Sequence, residues 1–245
     1  MKLLSAAPSG PLPSPAELLA VDEVMLAWCE AHGREELLHF WEPREPFVVV
    51  GYGNHVATEV DVPACAARGV PIHRRCSGGG TIVQLPGGLN YSLVLRIIPD
   101  GPTRSIAAAN QYIMDRNRAA LQSLAGPDAL VSVRGHTDLC LGNRKFAGNS
   151  QRRQKNYLLF HGTLLLNCDL TFVGELLRMP SLQPDYRASR AHEEFITNFP
   201  ASADSVKTAL AEQWGVTGEA IALPAEEIAR LAREKYATRE WNFKF

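Results

Sequence analysis

The chain reads as an α+β protein, with a mixed, largely antiparallel sheet and helices packed on it. Three observations predict this. Hairpin signals dominate the connections between apolar runs. The strict strand–helix alternation of a doubly wound parallel sheet is absent. With 245 residues, 46% of them hydrophobic and 21% charged, the chain can bury a core without a metal or disulfide staple.

The elements follow in order. Residues 1–14 read as a flexible leader rich in proline (Pro8, Pro11, Pro13). Ser14-Pro15 opens a helix with a cap and an N1 proline, and Leu18, Leu19, Met25 and Leu26 give it a buried face. Leu37–Trp41 and Phe47–Gly51, split by Glu42-Pro43-Arg44, predict a hairpin. Asp61–Arg68 predicts a short helix stopped by Gly69. Strands are expected at Val70–Arg75, Thr81–Gln84 and Asn90–Ile98, and a helix at Thr103–Leu124. Ala129–Val133, Asp138–Leu141, Arg144–Asn149 and Tyr157–Leu166 read as further strands. Leu170–Arg178, capped by Asp169, Ala203–Gln213 and Ala225–Tyr236 read as helices. Thr238–Phe243 is expected to close the sheet.

Charge narrows the partners. Lys+Arg number 25 against 26 Asp+Glu, a net of −1, without the basic excess of a duplex-DNA binder. Basic residues cluster locally at Arg74–Arg75 and from Arg144 to Lys155, which suits a small anion or an acidic partner patch. The five cysteines form no C-x-x-C and read as reduced thiols in a cytoplasmic protein. No run is long enough for a signal peptide or a membrane span. No Gly-Lys pair exists for a Walker A loop, Gly51-Tyr52-Gly53 does not complete G-x-G-x-x-G, and H-E-x-x-H, G-x-S-x-G and zinc spacings are missing, which disfavours P-loop kinases, zincins and α/β-hydrolases.

Three stretches carry chemistry. In Arg74-Arg75-Cys76-Ser77-Gly78-Gly79-Gly80-Thr81, glycines allow close backbone approach, successive amides can form an anion nest, and arginines can fork onto phosphate or carboxylate oxygens. In the second, Gly142-Asn143 is a hairpin turn that places Asp138 and Lys145 on neighbouring strands, with Lys145 among small and apolar residues where an ammonium attracts anions strongly. The third, His161–Leu170, reads as a strand that enters a helix capped by Asp169. Each has a plain structural reading: a glycine hairpin with surface arginines, a surface lysine, a hydrogen-bonded histidine.

Together and in this order the three stretches resemble the lipoate–protein ligase A family of the biotin/lipoate ligase superfamily. Arg74–Thr81 is similar to its R-R-x-S-G-G-G-[AT] loop. Thr137-Asp138-Leu139 with Arg144–Gly148 is similar to its N-D-L and K-[IV]-[SA]-G lysine segment, and His161–Leu170 to its H-H-G-T-L-L-x-x-x-D-L segment. Leu19–Glu23, Ile196–Asn198 and Glu240–Phe243 resemble an early L-A-x-E-E helix, a V-T-N turn and a final-strand W-x-[FW].

The resemblance implies a class II synthetase-like catalytic domain over residues 15–245, ending without the family's C-terminal accessory domain. It implies formation of lipoyl-AMP from lipoate and ATP with Mg²⁺, then transfer to a lysine of a lipoyl domain, on a 2-oxo acid dehydrogenase acyltransferase subunit or the glycine cleavage H protein. A separate small ligase subunit is an expected partner, and neither nucleic acid nor membrane is. By the same resemblance Lys145 bonds the acyl-adenylate, Asp138 belongs to its site, and Arg75 contacts ATP. Gly80, Thr81, Ile82 and Val83 hold nucleotide through their backbone. Arg74, Ser77, Gly78, Gly79, His161, Gly162 and Thr163 complete the expected binding set, and no metal ligand is assigned.

The sequence departs from the family at several places. Tyr52 stands where an arginine is common, Gln84–Gly88 where H-D-x-G-N is common, Thr137 for an asparagine, and Phe160 for a second histidine. Two other readings stay open: an octanoyl or lipoyl transferase using a ready-made acyl thioester or adenylate, and a non-catalytic lipoyl-adenylate binder. Cysteine-dependent relatives of the fold place a nucleophile about fifteen residues before the lysine, where Leu130 stands here. Cys76 and Cys140 lie nearer the motifs and read as buried small hydrophobes. The G-R-G-R-x-G-R loop of biotin ligases is absent.

Overall fold

The structure, a computed structural model, describes residues 1–4, 13–33, 35–180, 182–218 and 220–245. In chain order the elements are β1 (Lys2–Leu3), α1 (Pro15–His32), β2 (Leu37–Trp41), β3 (Phe47–Val50), α2 (Val56–Glu59), α3 (Val62–Ala67), β4 (Ile72–Arg74), β5 (Ile82–Gln84), β6 (Gly88–Arg96), α4 (Ile106–Gln122), β7 (Val131–Arg134), β8 (Asp138–Leu141), β9 (Arg144–Arg153), β10 (Tyr157–Leu165), α5 (Thr171–Leu176), α6 (His192–Phe195), α7 (Ala203–Gln213), α8 (Ala225–Leu231) and α9 (Arg239–Asn242). A seven-stranded sheet runs β1-β2-β6-β10-β9-β8-β7, and a three-stranded sheet runs β4-β3-β5. Pairing is antiparallel except β1 with β2 and β3 with β4. This is the expected α+β architecture.

Period-two alternation sorts the large sheet's side chains between two cores. Leu38, Leu93, Leu158 and Phe160 pack beneath α4 and α7. Leu37, Val94 and Leu159 pack beneath α1 on the other face. The small sheet covers a third core with α3, α5 and α6. Helix α1 starts as its sequence predicts: Ser14 and Glu17 form a capping box, Pro15 is at N1, and Gly33 ends the helix in the left-handed region.

Five expectations are corrected. Lys2–Leu3 pairs with Leu37–Leu38 and Leu4 is buried, so the leader does not begin at residue 1; residues 5–12 lie outside the described residues. β2 and β3 are not a hairpin but belong to different sheets, because β3 is fully buried between β4 and β5. Thr238–Phe243 adds no strand; Thr238 caps α9, accepting from the Trp241 amide. The helix expected over 225–236 changes to a π turn at Ala232–Tyr236, and Asp169 accepts from the Thr171 amide one residue before the cap position of α5. Among the described residues no helix is long and apolar enough to cross a membrane.

Candidate active site

The Gly142-Asn143 turn joins β8 to β9 and brings Lys145 Nζ to 2.7 Å from Asp138 Oδ1. Neighbouring strands alone do not explain this contact. Asp138 pairs with Gly148 and Leu139 with Ala147, but Cys140 pairs with Lys145. Phe146 is therefore an extra residue, a β-bulge. Phe146 and Ala147 both enter the core under α4, and Lys145 turns to the face of Asp138 and Gly148. Its side chain lies across Gly148, where a Cβ would stand 2.8 Å from Nζ. The Thr197 amide donates to the Lys145 carbonyl at 2.9 Å, so the Ile196-Thr197-Asn198 turn holds the strand end. Tyr186 donates to Asp138 Oδ2 at 2.7 Å; burial, then the Asp138 charge, raises this phenol and keeps it protonated. Gly148→Ala is expected to displace only the flexible end of Lys145. Catalytic turnover should fall about tenfold or more with an almost unchanged melting temperature, read by kinetics and thermal unfolding of the same sample.

The glycine-rich loop between β4 and β5 is held from behind. Arg75 is buried, and desolvation lowers its guanidinium to about 10. Its Nη2 donates to the carbonyls of Gly78 at 2.5 Å and Gly80 at 2.7 Å, and its Nε to Gly78 and to Ser77 Oγ, both at 3.1 Å. In a trans peptide the following N–H points opposite to its carbonyl. The amides of Gly79 and Thr81 are thereby turned away from Arg75, and both residues line the cavity. Gly79 adopts φ +82°, a conformation that favours glycine. Arg75 thus fixes the backbone of the loop, and its forked end is already occupied by carbonyls.

Arg74 corrects the expectation of two ligand-facing arginines. It is fully buried and donates to the carbonyls of Gly51, Tyr52, Asn54, Trp241 and Asn242 at 2.8–3.1 Å. It bolts the 51–54 loop to the C-terminal helix and lies outside the cavity lining. Ser77 and Gly78 also lie outside the lining, whereas Arg75, Gly79–Val83, Asp138, Lys145, His161, Gly162 and Thr163 belong to it.

The cavity has a volume of about 840 Å³. Its floor is the sheet face reached by Gly148 (β9), Thr163 (β10), Asn90 (β6) and Trp41 (β2). Three strand spacings separate β9 from β2, roughly 14 Å. Gly162 is glycine because a Cβ would overlap the Asn149 side chain.

Several lining residues were not among those expected from sequence. Asp22 of α1 accepts from Ser92 Oγ at 2.5 Å and bonds His161 Nδ1 at 2.6 Å, while His161 Nε2 bonds Ser77 Oγ at 2.5 Å. Helix α1, β6, β10 and the glycine loop are joined in one polar chain. Gln84 and Asn90 bond each other and Thr163 at 2.6–3.0 Å. Asp22 did carry a signal, an acid within an otherwise apolar helix face. Asn90 and Ser92 carried none, because their partners Thr163 and Asp22 lie about seventy residues away in the chain.

The five cysteines are all buried. Burial raises every one of their thiols, Cys29 to about 12 and Cys76 to about 11. None has the exposed, electropositive setting of a nucleophilic thiolate. Among the described residues no group of three or more His, Cys, Asp or Glu side chains converges as a metal site.

The comparisons agree with this geometry. The sequence profile of the lipoyl protein ligase A/B catalytic domain matches residues 14–215. The octanoyltransferase LipM of Kyrpidia tusciae is 29% identical over 92% of this chain and 93% of its own. A crystal structure of lipoate-protein ligase A bound with ATP superposes with a TM-score of 0.74 at 25% identity, covering 99% of this chain and 98% of that one. The archaeal bi-partite lipoate protein ligase of Thermoplasma acidophilum, studied with its E2 lipoyl domain, shares the fold at a TM-score of 0.76 and 24% identity, covering 98% and 94%. With this match over most of its length, and with a lysine–aspartate pair and a glycine-rich loop lining one cavity, the chain belongs to the lipoyl protein ligase A/B catalytic domain family.

Proposed function

We propose that this protein is an ATP-dependent lipoate–protein ligase. One observation carries the reading: the Lys145 ammonium, steadied by Asp138, lines one cavity of about 840 Å³ together with Gly79 and Thr81 of the glycine loop, in a chain whose five thiols are all buried. The lipoate carboxylate attacks the α-phosphorus of ATP, and pyrophosphate leaves. Lys145 and the loop amides stabilise charge growing on the phosphoryl oxygens. The acceptor lysine's amine then attacks the acyl carbonyl, AMP leaves, and the amine's proton passes to solvent. The ATP phosphates are supplied as their magnesium complex, whose charge would help neutralise the phosphoryl oxygens. The acceptor is a lipoyl domain, and a small accessory subunit is a second component to be tested.

The test mixes purified protein with an apo lipoyl domain and follows the acceptor's mass. Lipoate with MgATP, octanoyl carrier protein, and preformed lipoyl-AMP are supplied in turn, with and without a small accessory subunit. Modification from lipoyl-AMP, and from lipoate with MgATP at least when the subunit is present, supports the ligase. Modification only from the carrier protein would establish the transferase that the LipM likeness favours. Ligand binding without modification would leave a binder. As a further prediction, alkylation with iodoacetamide under native conditions should leave transfer within about twofold of the untreated rate, because no low-pKa exposed thiol participates.

A further inference from the structure

Asn149 of β9, Gly162 of β10 and Tyr91 of β6 stand in one transverse row of the large sheet. Tyr91 belongs to the core beneath α4, and side chains alternate along each strand. The row therefore lies behind the face that carries Asp138 and Lys145. Gly162 leaves room for the Asn149 amide, which meets the Tyr91 hydroxyl at 2.5 Å. From there a chain of bonds runs whose direction is fixed at each step. The Trp214 indole, at the end of α7, can only donate, and it does so to Asn117 Oδ1 at 2.8 Å. Asn117 Nδ2 therefore donates to the Tyr91 oxygen at 2.8 Å, and the phenol's single proton goes to Asn149 Oδ1. Asn149 Nδ2 is left to donate to the Thr137 carbonyl at 2.6 Å, while Thr137 Oγ1 donates back to the Asn149 carbonyl at 2.8 Å. Tyr91 and Asn117 are each 1% exposed, so water does not compete for these bonds. Burial raises the Tyr91 phenol and holds its proton.

The chain of bonds ends where the site begins. β8 starts at Asp138, which pairs with Gly148, and the turn before it is exposed at Gly135 and His136. Beyond Asp138 the two Asn149–Thr137 bonds take over from the ladder. Side chains thus hold the backbone that delivers the Asp138 carboxylate to Lys145 Nζ. We propose that Tyr91 and Asn149 are positioning residues for the Lys145–Asp138 pair, fixing Thr137 from behind the sheet through bonds that originate at Trp214. The inference rests on the reading of that pair as the group acting on the acyl-adenylate. A slightly displaced pair still binds its ligand, yet it loses alignment with charge that grows only in the transition state.

Steady-state transfer from preformed lipoyl-AMP to an apo lipoyl domain tests this on the whole protein, with thermal unfolding of each sample. Tyr91→Phe takes one proton out of the chain of bonds. Asn149→Asp keeps the acceptor for Tyr91 but turns an oxygen toward the Thr137 carbonyl. Thr137→Val removes the return bond. Each is expected to lower kcat about tenfold, with KM for lipoyl-AMP and for the acceptor within about twofold of wild type. Val206→Ala, in the same core but outside the chain of bonds, should lower the melting temperature and leave kcat within about twofold. Thr137→Val carries the test alone if circular dichroism finds the other two unfolded. Unchanged kcat in the folded variants, a rise in KM in place of the fall in kcat, or an equal fall in Val206→Ala would overturn the inference. If Lys145→Ala then still abolishes transfer, the reading of the site stands without it. If Lys145→Ala keeps wild-type transfer, or wild type transfers nothing, both fall.

Discussion

Lys145→Ala is expected to reduce acyl transfer from lipoyl-AMP to an apo lipoyl domain by about 10³-fold, the scale of losing one preorganised electrostatic contact. The side chain is 27% exposed and its partner Asp138 15%, so the ion pair sits in a medium where charge interactions exceed those in bulk water. Truncation removes the cation and leaves the Asp138 carboxylate beside the phosphoryl oxygens, where it repels them. The loss therefore exceeds that of a missing hydrogen bond. Stability should barely change, because Lys145 ends at the cavity surface and Tyr186 still donates to Asp138. Lys145→Arg should not restore the rate. A planar guanidinium cannot lie across Gly148 as a linear side chain does. Acceptor mass spectrometry and circular dichroism on each variant decide the matter. A Lys145→Ala protein retaining more than a tenth of wild-type transfer would remove Lys145 from the chemistry.

Arg74→Ala has the opposite signature. Five carbonyls from two separated segments lose their donor at a fully buried position. Each buried acceptor left unsatisfied costs roughly 1–3 kcal/mol, partly recovered by water and relaxation. A net destabilisation of about 3–5 kcal/mol follows, or roughly 10 °C in melting temperature for a chain of this size. Arg74→Lys should recover little of it, since one ammonium cannot reach five carbonyls arranged around a planar fork. Differential scanning calorimetry is the measurement. A melting temperature within about 2 °C of wild type would show that the 51–54 loop and the C-terminal helix hold together without this bolt. Adjacent arginines in one motif thus have different work: Arg74 fastens the loop's surroundings, and Arg75 sets the direction of its amides.

Much of this was legible in the sequence because it is local. The Ser14–Glu17 capping box, the Gly142-Asn143 turn and the glycine run each act within a few residues, and their residue types state the backbone they require. The hairpin pairing of Phe47–Gly51, whose strand itself forms, and the closing strand at Thr238–Phe243 failed for a common reason. Phe47–Val50 and Thr238–Phe243 have apolar content that fits either a neighbour nearby in sequence or a partner far away, and periodicity does not choose between them. In the structure β3 finds β4 and β5, and Trp241 instead turns its indole N–H to the Arg74 carbonyl at 2.8 Å.

Lys145 shows where the sequence stops and the tertiary structure takes over. The turn chemistry of Gly142-Asn143 by itself determined that Asp138 and Lys145 lie on adjoining strands. It did not determine on which face the lysine emerges, because side chains alternate and a one-residue slip exchanges the faces. The bulge at Phe146 made that decision. Its ring stacks on Phe199 with centroids 4.6 Å apart, and Ala147 enters the same core. Two consecutive apolar residues facing one way turn the ammonium toward the cavity. That packing spans more than fifty residues of chain, and only the folded core can enforce it.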